Sequence, residues 1–329
     1  MRRKILFVVL ATLFLTTVSL GEAPQPGKIA RIGILEARDP SDRPQVWAVF
    51  RQGLRDLGYI EGKNIVLEYR YAEGNIQRLP ELAADLVRLK VDIIVASDFQ
   101  PALAARKIST TTPIVMAGGR DPVEAGLAAS LARPGGNVTG LTGLGPELLG
   151  KRLELLKEAA PRISRVAVLV EVSVGGRTAV LTKEMEGPAQ GLGIQLRAAE
   201  VRGPNPDLDQ AFRSVVGNRV EALVIAPQPA LNPHMRRIVE LSTKNRLPTM
   251  ASGWLWVNGG ALMSYGSNPE DLSRRAAWYV DRILNGAKPG DLPIEQPTKF
   301  ELIFNLKAAK QIGLTIPPNV LARADKVIK

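Results

Sequence analysis

Residues 30–35 read Ala-Arg-Ile-Gly-Ile-Leu, and residues 164–169, Ser-Arg-Val-Ala-Val-Leu, repeat their pattern in the second half of the chain. Three more pairs of segments follow in the same order. They are residues 62–69 with 191–198, 91–96 with 220–226, and 112–117 with 247–251. A series of segments that recurs in order indicates a duplicated structural unit. The chain is therefore predicted to form two similar lobes with a cleft between them.

The repeated segments alternate with helical patterns. Residues 32–35 and 92–96 are apolar runs, whereas Trp47, Phe50 and Leu54 recur at the spacing of a helix face. Apolar strands without a polar face are typical of parallel sheets that are covered on both sides. The predicted fold class is α/β, with two Rossmann-like lobes, each built on a parallel sheet, and a ligand cleft between them.

The chain is predicted to cross between these lobes more than once. A loop at residues 133–137, Arg-Pro-Gly-Gly-Asn, precedes a first crossing at 138–142. The elements after residue 260 exceed what a second lobe needs, so further crossings are predicted near Gly266 and Pro297. These crossings give the predicted boundaries, 29–142 plus 267–297 for lobe 1 and 143–266 plus 298–329 for lobe 2. Short segments that bend together would form a hinge.

The amino terminus has the layout of a secretory signal peptide. Arg2, Arg3 and Lys4 precede an apolar run that ends near Val18, and small and polar residues continue to Ala23. An uncleaved membrane anchor is the alternative, but about 14 apolar residues are fewer than the ~20 that span a bilayer. The chain has no cysteine for a lipid anchor or a disulfide. Residues 1–23 are therefore predicted to be removed from an exported protein that is soluble and not lipid-anchored. A periplasmic location and a monomeric state are also expected.

Composition argues against several other functions. The formal charge is +11, but the basic residues are scattered without interleaved aromatic residues, so no nucleic-acid partner is expected. With one histidine, His234, and no cysteine, a Cys-His nucleophile is excluded and a zinc site would need carboxylate ligands. Residues 143–145, Gly-Leu-Gly, lack the third glycine of a dinucleotide-binding turn. We expect no enzyme activity, no metal and no cofactor.

Ligands of parallel sheets bind beyond the carboxyl ends of the strands, which selects a small set of loops. The residues that these loops offer to a ligand are Arg38, Ser97, Asp98, Phe99, Gly119, Arg120, Asp121, Glu171, Gln228, Trp254 and Tyr265. The rings could stack on a planar or apolar ligand, and the charged groups could pair with a carboxylate or an ammonium.

Each of these residue types also has a structural alternative. Phe99 and Trp256 could pack in the core. Asp98 and Asp121 could cap helices that start near Pro101 and Pro122.

Several longer motifs resemble the substrate-binding proteins of ABC transporters, in the group associated with tryptophan-like and tyrosine-like ligands. The motifs are residues 50–62, 79–87, 130–140, 151–157 and 296–302. The departures from the family lie in the ligand loops. Asp98-Phe99-Gln100 replaces a small Gly-Thr-Pro-like turn, Glu171-Val-Ser173 replaces an Asn-Pro, and Arg120 is added within a Gly-Asp-Pro-like turn.

This resemblance implies the type I periplasmic-binding-protein fold and a role in import. The protein would close over a small molecule, an aromatic or branched amino acid or an analogue, and deliver it to an ABC permease in the membrane. Three alternatives remain open. They are a periplasmic sensor that signals to a membrane kinase, an exported α/β enzyme, and a cytoplasmic regulator, which would need a DNA-binding helix-turn-helix before residue 30.

Overall fold

The computed structural model describes residues 29–144, 148–172 and 177–329. The predicted signal peptide, residues 1–23, lies outside them, as does Ser173 of the loop after residue 171. The described residues form two sheets, each covered by helices on both faces. We call them sheet 1 and sheet 2.

Sheet 1 contains five parallel strands in the order β2-β1-β3-β4-β5. Their bounds are β1 Ala30–Glu36, β2 Ile65–Tyr71, β3 Ile93–Ala96, β4 Ile114–Ala117 and β5 Val138–Leu141. Alternate residues of a strand point to opposite faces. Ile93 and Val95 accordingly pack on one side of the sheet and Ile94 and Ala96 on the other, and all four are buried.

Sheet 2 contains seven strands in the order β12-β11-β10-β9-β8-β6-β7. Their bounds are β6 Arg165–Glu171, β7 Gln195–Val201, β8 Ala222–Ile225, β9 Thr249–Ala251, β10 Met263–Ser267, β11 Phe300–Asn305 and β12 Lys326–Ile328. All neighbouring strands are parallel except β10 and β11, which run antiparallel.

The internal repeat of the sequence corresponds to a repeat of topology. In sheet 1 the strands run 2-1-3-4-5, and in sheet 2 the strands β7, β6, β8, β9 and β10 follow the same order. The four matched segments therefore occupy equivalent strands, β1 with β6, β2 with β7, β3 with β8 and β4 with β9. The duplication read from the sequence is a duplication of an α/β unit.

The helices connect the strands and cover the sheets. Their bounds are α1 Pro44–Asp56, α2 Leu79–Arg88, α3 Phe99–Ile108, α4 Leu149–Ala159, α5 Arg177–Gly191, α6 Leu208–Gly217, α7 Met235–Lys244, α8 Trp254–Asn258, α9 Pro269–Leu284, α10 Leu306–Ile312 and α11 Pro318–Leu321. On sheet 1, α1 and α9 share one face and α2 and α3 the other. Helix α9 follows a strand of sheet 2 but packs on sheet 1.

Backbone hydrogen bonds tie the crossing segments together. The Glu295 N–H donates to Gly140 O, and the Thr142 N–H donates to Glu295 O, both at 2.9 Å. Further along, the Asn268 N–H donates to Lys299 O at 3.2 Å, and the Lys299 Nζ pairs with Asp271. The segment that leaves sheet 1 after β5 is thus bonded to the segment before β11, and so is the segment that leaves sheet 2 after β10.

Candidate ligand-binding site

Three neighbouring strands of sheet 1 place most of the predicted site residues at one edge. Strands β1, β3 and β4 are adjacent and parallel, so their carboxyl ends lie side by side. Arg38 follows β1, Ser97 to Phe99 follow β3, and Gly119 to Asp121 follow β4. The rule on strand ends therefore brings seven of the eleven candidates to a common edge.

Glu36, the last residue of β1, is a buried carboxylate with a full set of partners. Its side chain is 1% exposed and accepts hydrogen bonds from Arg43 Nη2 at 2.9 and 2.7 Å and from Trp47 Nε1 at 3.1 Å. The Arg38 backbone N–H donates to the same carboxylate at 3.1 Å. Burial is the largest single influence on the pKa of Glu36 and would raise it, but the charge and hydrogen bonds of Arg43, together with hydrogen bonds from Ser97 and the Arg38 backbone, leave that pKa lowered.

Arg38 and Asp98 lie beside this pair. Burial lowers the pKa of the Arg38 guanidinium, and Arg43 lowers it further, whereas Asp98 and Glu36 act in the opposite direction. Burial raises the pKa of Asp98 and Glu36 adds to the shift, although Arg38 and Arg43 oppose it. Asp98 Oδ1 also accepts from the Gln100 N–H at 3.0 Å. Asp98 is therefore the N-cap of α3, and the helix begins at Phe99, two residues earlier than predicted.

Phe99 and Arg120 pack against each other across the strand ends. The Phe99 ring is 4% exposed and belongs to the core between sheet 1 and its helices, as the structural alternative held. The Arg120 guanidinium carbon lies 4.2 Å from the centroid of that ring, a cation–π arrangement. Gly119 permits this approach, because a Cβ there would lie 2.6 Å from Phe99 N and its φ is 113°.

Asp121 is exposed, and its carboxylate forms a hydrogen bond with the nearby backbone. Asp121 Oδ1 accepts from the Val123 N–H at 2.7 Å. The helix predicted to start near Pro122 is wrong, because residues 122–126 form turns that end at Gly126 with φ 69°. Asp and Pro favour the first turn of a helix and a tight turn alike, so the pattern did not distinguish them.

In sheet 2, Gln228 connects the ends of two strands. Its Oε1 accepts from the Glu171 N–H at 2.7 Å, and its Nε2 donates to Glu171 O at 3.0 Å. Both ends of the amide are therefore engaged with backbone, and Gln228 fixes the position of Glu171 at the end of β6. The Glu171 side chain is half-buried.

The aromatic candidates of sheet 2 differ in burial. Trp254 begins α8 just after β9 and is half-buried, whereas Trp256 is 5% exposed and lies in the core. The half-buried Tyr265 ring stacks on Phe300 at 5.9 Å between centroids. The Tyr265 backbone oxygen accepts from Arg152 Nε at 2.8 Å. Trp254 and Tyr265 are therefore the aromatic candidates of sheet 2 that keep accessible surface.

Sequence reasoning missed two buried charged groups near these edges. One is the Glu36–Arg43 pair with Trp47, and the other is Arg152, which is 1% exposed on α4. A charged residue at the end of an otherwise apolar strand, as at Glu36, is a signal that could have been used, since such a group needs a partner when buried.

Other kinds of site find no support in the described ranges. Across residues 29–144, 148–172 and 177–329, no three His, Asp or Glu side chains group closely enough to hold a metal ion. Nor does any helix of those ranges have the length and apolar character needed to cross a membrane.

Comparison with known proteins places this architecture in a family. The sequence model described as ABC transporter substrate binding protein matches residues 39–328. A tyrosine-binding protein of Clostridioides difficile (strain R20291) is 27% identical over 288 residues, which is 87% of this chain and 82% of that protein.

Solved structures show the same fold. A conserved domain protein from Vibrio cholerae O1 biovar El Tor is 27% identical with a TM-score of 0.81, covering 91% of this chain and all 100% of that one. An ABC domain in complex with L-Trp from Streptococcus pneumonia is 24% identical with a TM-score of 0.80, covering 91% of this chain and 99% of that one.

A third match is a ligand-free, open substrate-binding protein with adhesive properties from Clostridium difficile. It is 25% identical with a TM-score of 0.71 and covers 92% of this chain and 99% of that one. These matches confirm the predicted fold class of two α/β lobes. Together with the family match over nearly all the described residues, they establish that the chain belongs to the family of ABC transporter substrate-binding proteins.

Proposed function

We propose that this protein is the exported solute-binding component of an ABC importer and that its ligand is an aromatic or branched amino acid or a close analogue. The observation that carries the proposal is the set of half-buried charged residues at the edge of sheet 1, where Arg38, Asp98 and Arg120 follow neighbouring strands. A buried charge is stable only with a counter-charge or hydrogen bonds. A ligand with a carboxylate and an ammonium can supply both.

The choice of an aromatic or branched side chain rests on Trp254 and Tyr265. Both are half-buried, Trp254 just after β9 and Tyr265 within β10, so they offer ring surface at low entropic cost. The names of two similar proteins agree with this choice, since one is a tyrosine-binding protein and another was solved with L-Trp. Binding would proceed by closure of the lobes, without covalent chemistry.

The lobes would be formed by residues 29–142 plus 267–297 and by residues 143–266 plus 298–329. This division is supported by the packing of α9 on α1 and by the return of the chain to sheet 2 at β11. Cleavage of residues 1–23 would release the protein to the periplasm, where it would act as a monomer that delivers its ligand to a membrane permease. The ligand-contacting residues would be those at the two strand edges.

A binding panel tests the ligand class. Mature protein beginning at residue 24 is titrated with the twenty amino acids while its melting temperature and heat of binding are measured. A ligand at a hundred times its Kd stabilises the folded protein by about 2.7 kcal/mol, which a melting curve resolves. Stabilisation by tyrosine, tryptophan, phenylalanine, leucine, isoleucine or valine supports the proposal. A flat response to all twenty would contradict it.

Trp254→Ala locates the pocket with the best ligand of that panel. Loss of a half-buried ring at a binding site weakens binding by about 1 to 3 kcal/mol. The matched control is Trp278→Ala, because Trp278 is also half-buried but lies on α9 with Arg275 3.7 Å from its ring. Unchanged affinity in the Trp254 variant would place the pocket elsewhere.

A further inference from the structure

Three arginines near the edge of sheet 1 have a buried Nε without a hydrogen-bond partner among the described residues. One of them, Arg43, pairs with Glu36 through its Nη2, which leaves Arg38 and Arg120. Arg38 lies two residues beyond β1 and Arg120 three residues beyond β4. Strand β3 runs between those two strands, so the Asp98-Phe99 pair that follows β3 separates the two arginines.

The carboxylates of this edge do not satisfy both arginines. Glu36 is engaged by Arg43, whose Nη2 lies 2.7 Å from it. Asp98 acts on Arg38 electrostatically and gives one oxygen to the Gln100 N–H. Asp39 and Asp121 are exposed and accept from the backbone N–H groups of Ser41 and Val123.

Three more carboxylates lie in or near the loops of the two edges. Asp42 is half-buried and acts on Arg38 only through its charge, and Glu124 is exposed. Glu171, at the end of β6, belongs to the other sheet. Asp98 interacts electrostatically with Arg38. The Arg120 guanidinium lies over the Phe99 ring, and its buried Nε donates to no described carboxylate.

Contacts within the protein position the Arg120 guanidinium and the Arg38 backbone. The Arg120 guanidinium lies over the Phe99 ring, and Gly119 allows its backbone to approach Phe99. The Arg38 backbone is fixed by its N–H bond to Glu36. A guanidinium offers a planar set of N–H donors that matches a carboxylate, and a positioned, desolvated one binds it strongly.

We infer that Arg38 and Arg120 form a carboxylate subsite and that the ligand's acid group, rather than its ammonium, is the indispensable charge. This inference rests on the proposed function and specifies how that site recognises its ligand. An acid without an ammonium leaves Asp98 balanced by Arg38 and supplies a counter-charge and an acceptor to Arg120. The class of ligand is therefore a carboxylic acid with an apolar or aromatic body, and amino acids are one subset of it.

The first test needs no substitution in the protein. Wild-type protein is titrated by calorimetry with L-tyrosine, L-tyrosinamide and 3-(4-hydroxyphenyl)propionate, and with L-leucine, L-leucinamide and 4-methylpentanoate. Loss of one partner of a buried charge pair commonly reduces affinity about 30-fold or more. The amides should therefore bind at least about 30-fold more weakly than the amino acids, whereas the deaminated acids should stay within about tenfold.

The second test replaces each arginine with glutamine, which is polar but uncharged. Arg38→Gln and Arg120→Gln should each weaken binding of the acids about 30-fold or more while leaving the weak binding of the amides unchanged. Arg237→Gln is the control, since Arg237 pairs with Asp209 and Glu240 on the exposed surface of sheet 2's helices. It should bind every probe as the wild type does.

The outcomes separate this inference from the proposed function. If the amino acids bind but their amides bind equally well, or if the deaminated acids fail to bind, the carboxylate subsite is refuted while the solute-binding function stands. If neither the amino acids nor the acids bind, both proposals fail together. A selective loss of acid binding in the two arginine variants supports the subsite.

Discussion

Glu36 shows how one charged residue can organise the edge of a sheet. It ends an apolar strand, is almost completely buried, and is held by Arg43 and the Trp47 indole. Removing one member of a buried charge pair is far more damaging than removing a surface pair, because the other charge stays in the interior without compensation. Glu36 therefore ties the loop after β1 to α1 and fixes where Arg38 lies.

Glu36→Gln is expected to lower the free energy of unfolding at pH 7 by about 3 kcal/mol, because Arg43 would keep its charge without a carboxylate. Urea unfolding followed by circular dichroism measures the difference. Glu240→Gln is the matched control, since its partner Arg237 is solvent-exposed, and no change in stability is expected there. Equal stability of Glu36→Gln and wild type would show that the buried pair contributes little.

The pH dependence of this effect follows from the lowered pKa of Glu36. Burial opposes ionisation, but Arg43 and the hydrogen bonds from Ser97 and the Arg38 backbone together outweigh it, so the folded-state pKa lies below the ordinary value of 4.5. A carboxyl with a depressed pKa stabilises the fold above its unfolded pKa, and that stabilisation disappears as the pH falls through the folded value. The difference between wild type and Glu36→Gln should therefore shrink from pH 7 to pH 3. Asp98, with its raised pKa, changes stability in the opposite direction and is present in both proteins.

For single residues, the sequence predicts the position along the sheet edge better than it predicts the side-chain contacts. Arg38, Asp98 and Arg120 were found from the strand pattern alone, because the carboxyl ends of parallel strands must share an edge. The Glu36–Arg43 pair was not, since its geometry depends on the path of the loop between β1 and α1. Phe99 was assigned to the ligand because of its position, but the direction of its side chain is set by core packing.

Among the elements, those with regular periodicity and clear end signals are the most predictable. Helix α9 has clear start signals in the sequence, since Asn268 Oδ1 accepts from the Asp271 N–H and Pro269 occupies the first helical position. The segment after Asp121 has similar start signals without an amphipathic continuation, and it forms turns instead of a helix. Local start signals thus need a following apolar stripe before they predict an element.

In strand β5, Gly140 is packed between the backbone of β4 and the backbone of the crossing segment at Glu295. It pairs with Met116 of β4, and its carbonyl accepts from the Glu295 N–H of the crossing segment. Its φ is 116°, and a Cβ would lie 2.7 Å from Met116 N. Because both neighbours are backbone, no side-chain rotation can relieve that contact.

Gly140→Ala is expected to destabilise the protein by about 3 kcal/mol or more, since it adds backbone strain to a steric overlap. Gly217→Ala provides the contrast, because Gly217 ends α6 without a positive φ, and an added Cβ would have no atom within 4 Å. That change should stabilise the protein by about 0.5 kcal/mol. Thermal unfolding measures both, and a similar small effect at the two glycines would mean that β5 is free to shift.

At the scale of the whole molecule, the connections between the two α/β units determine how the units could move relative to each other. The chain passes between the sheets after β5, after β10 and before β11, and paired backbone segments hold these passages. The internal repeat predicted the two units, and the surplus elements after residue 260 predicted that the passages are multiple. The number of passages favours bending about a common hinge over independent movement on a single linker.

Ligand-driven closure can be measured with introduced cysteines, because the natural chain contains none. Pro40 is exposed in the loop after β1, and Ala230 is exposed just after β8, so both lie at the carboxyl edges that the proposed closure would bring together. Spin labels on Pro40→Cys with Ala230→Cys should show a shorter distance when the best ligand of the panel is added. A control pair, Pro40→Cys with Gln77→Cys, places both labels on the unit of sheet 1 and should keep its distance. A ligand that binds the closed form more tightly than the open form shifts the equilibrium toward the closed form. The change in distance should therefore follow the binding isotherm. Saturated ligand with an unchanged distance between Pro40 and Ala230 would show that this receptor binds without closing.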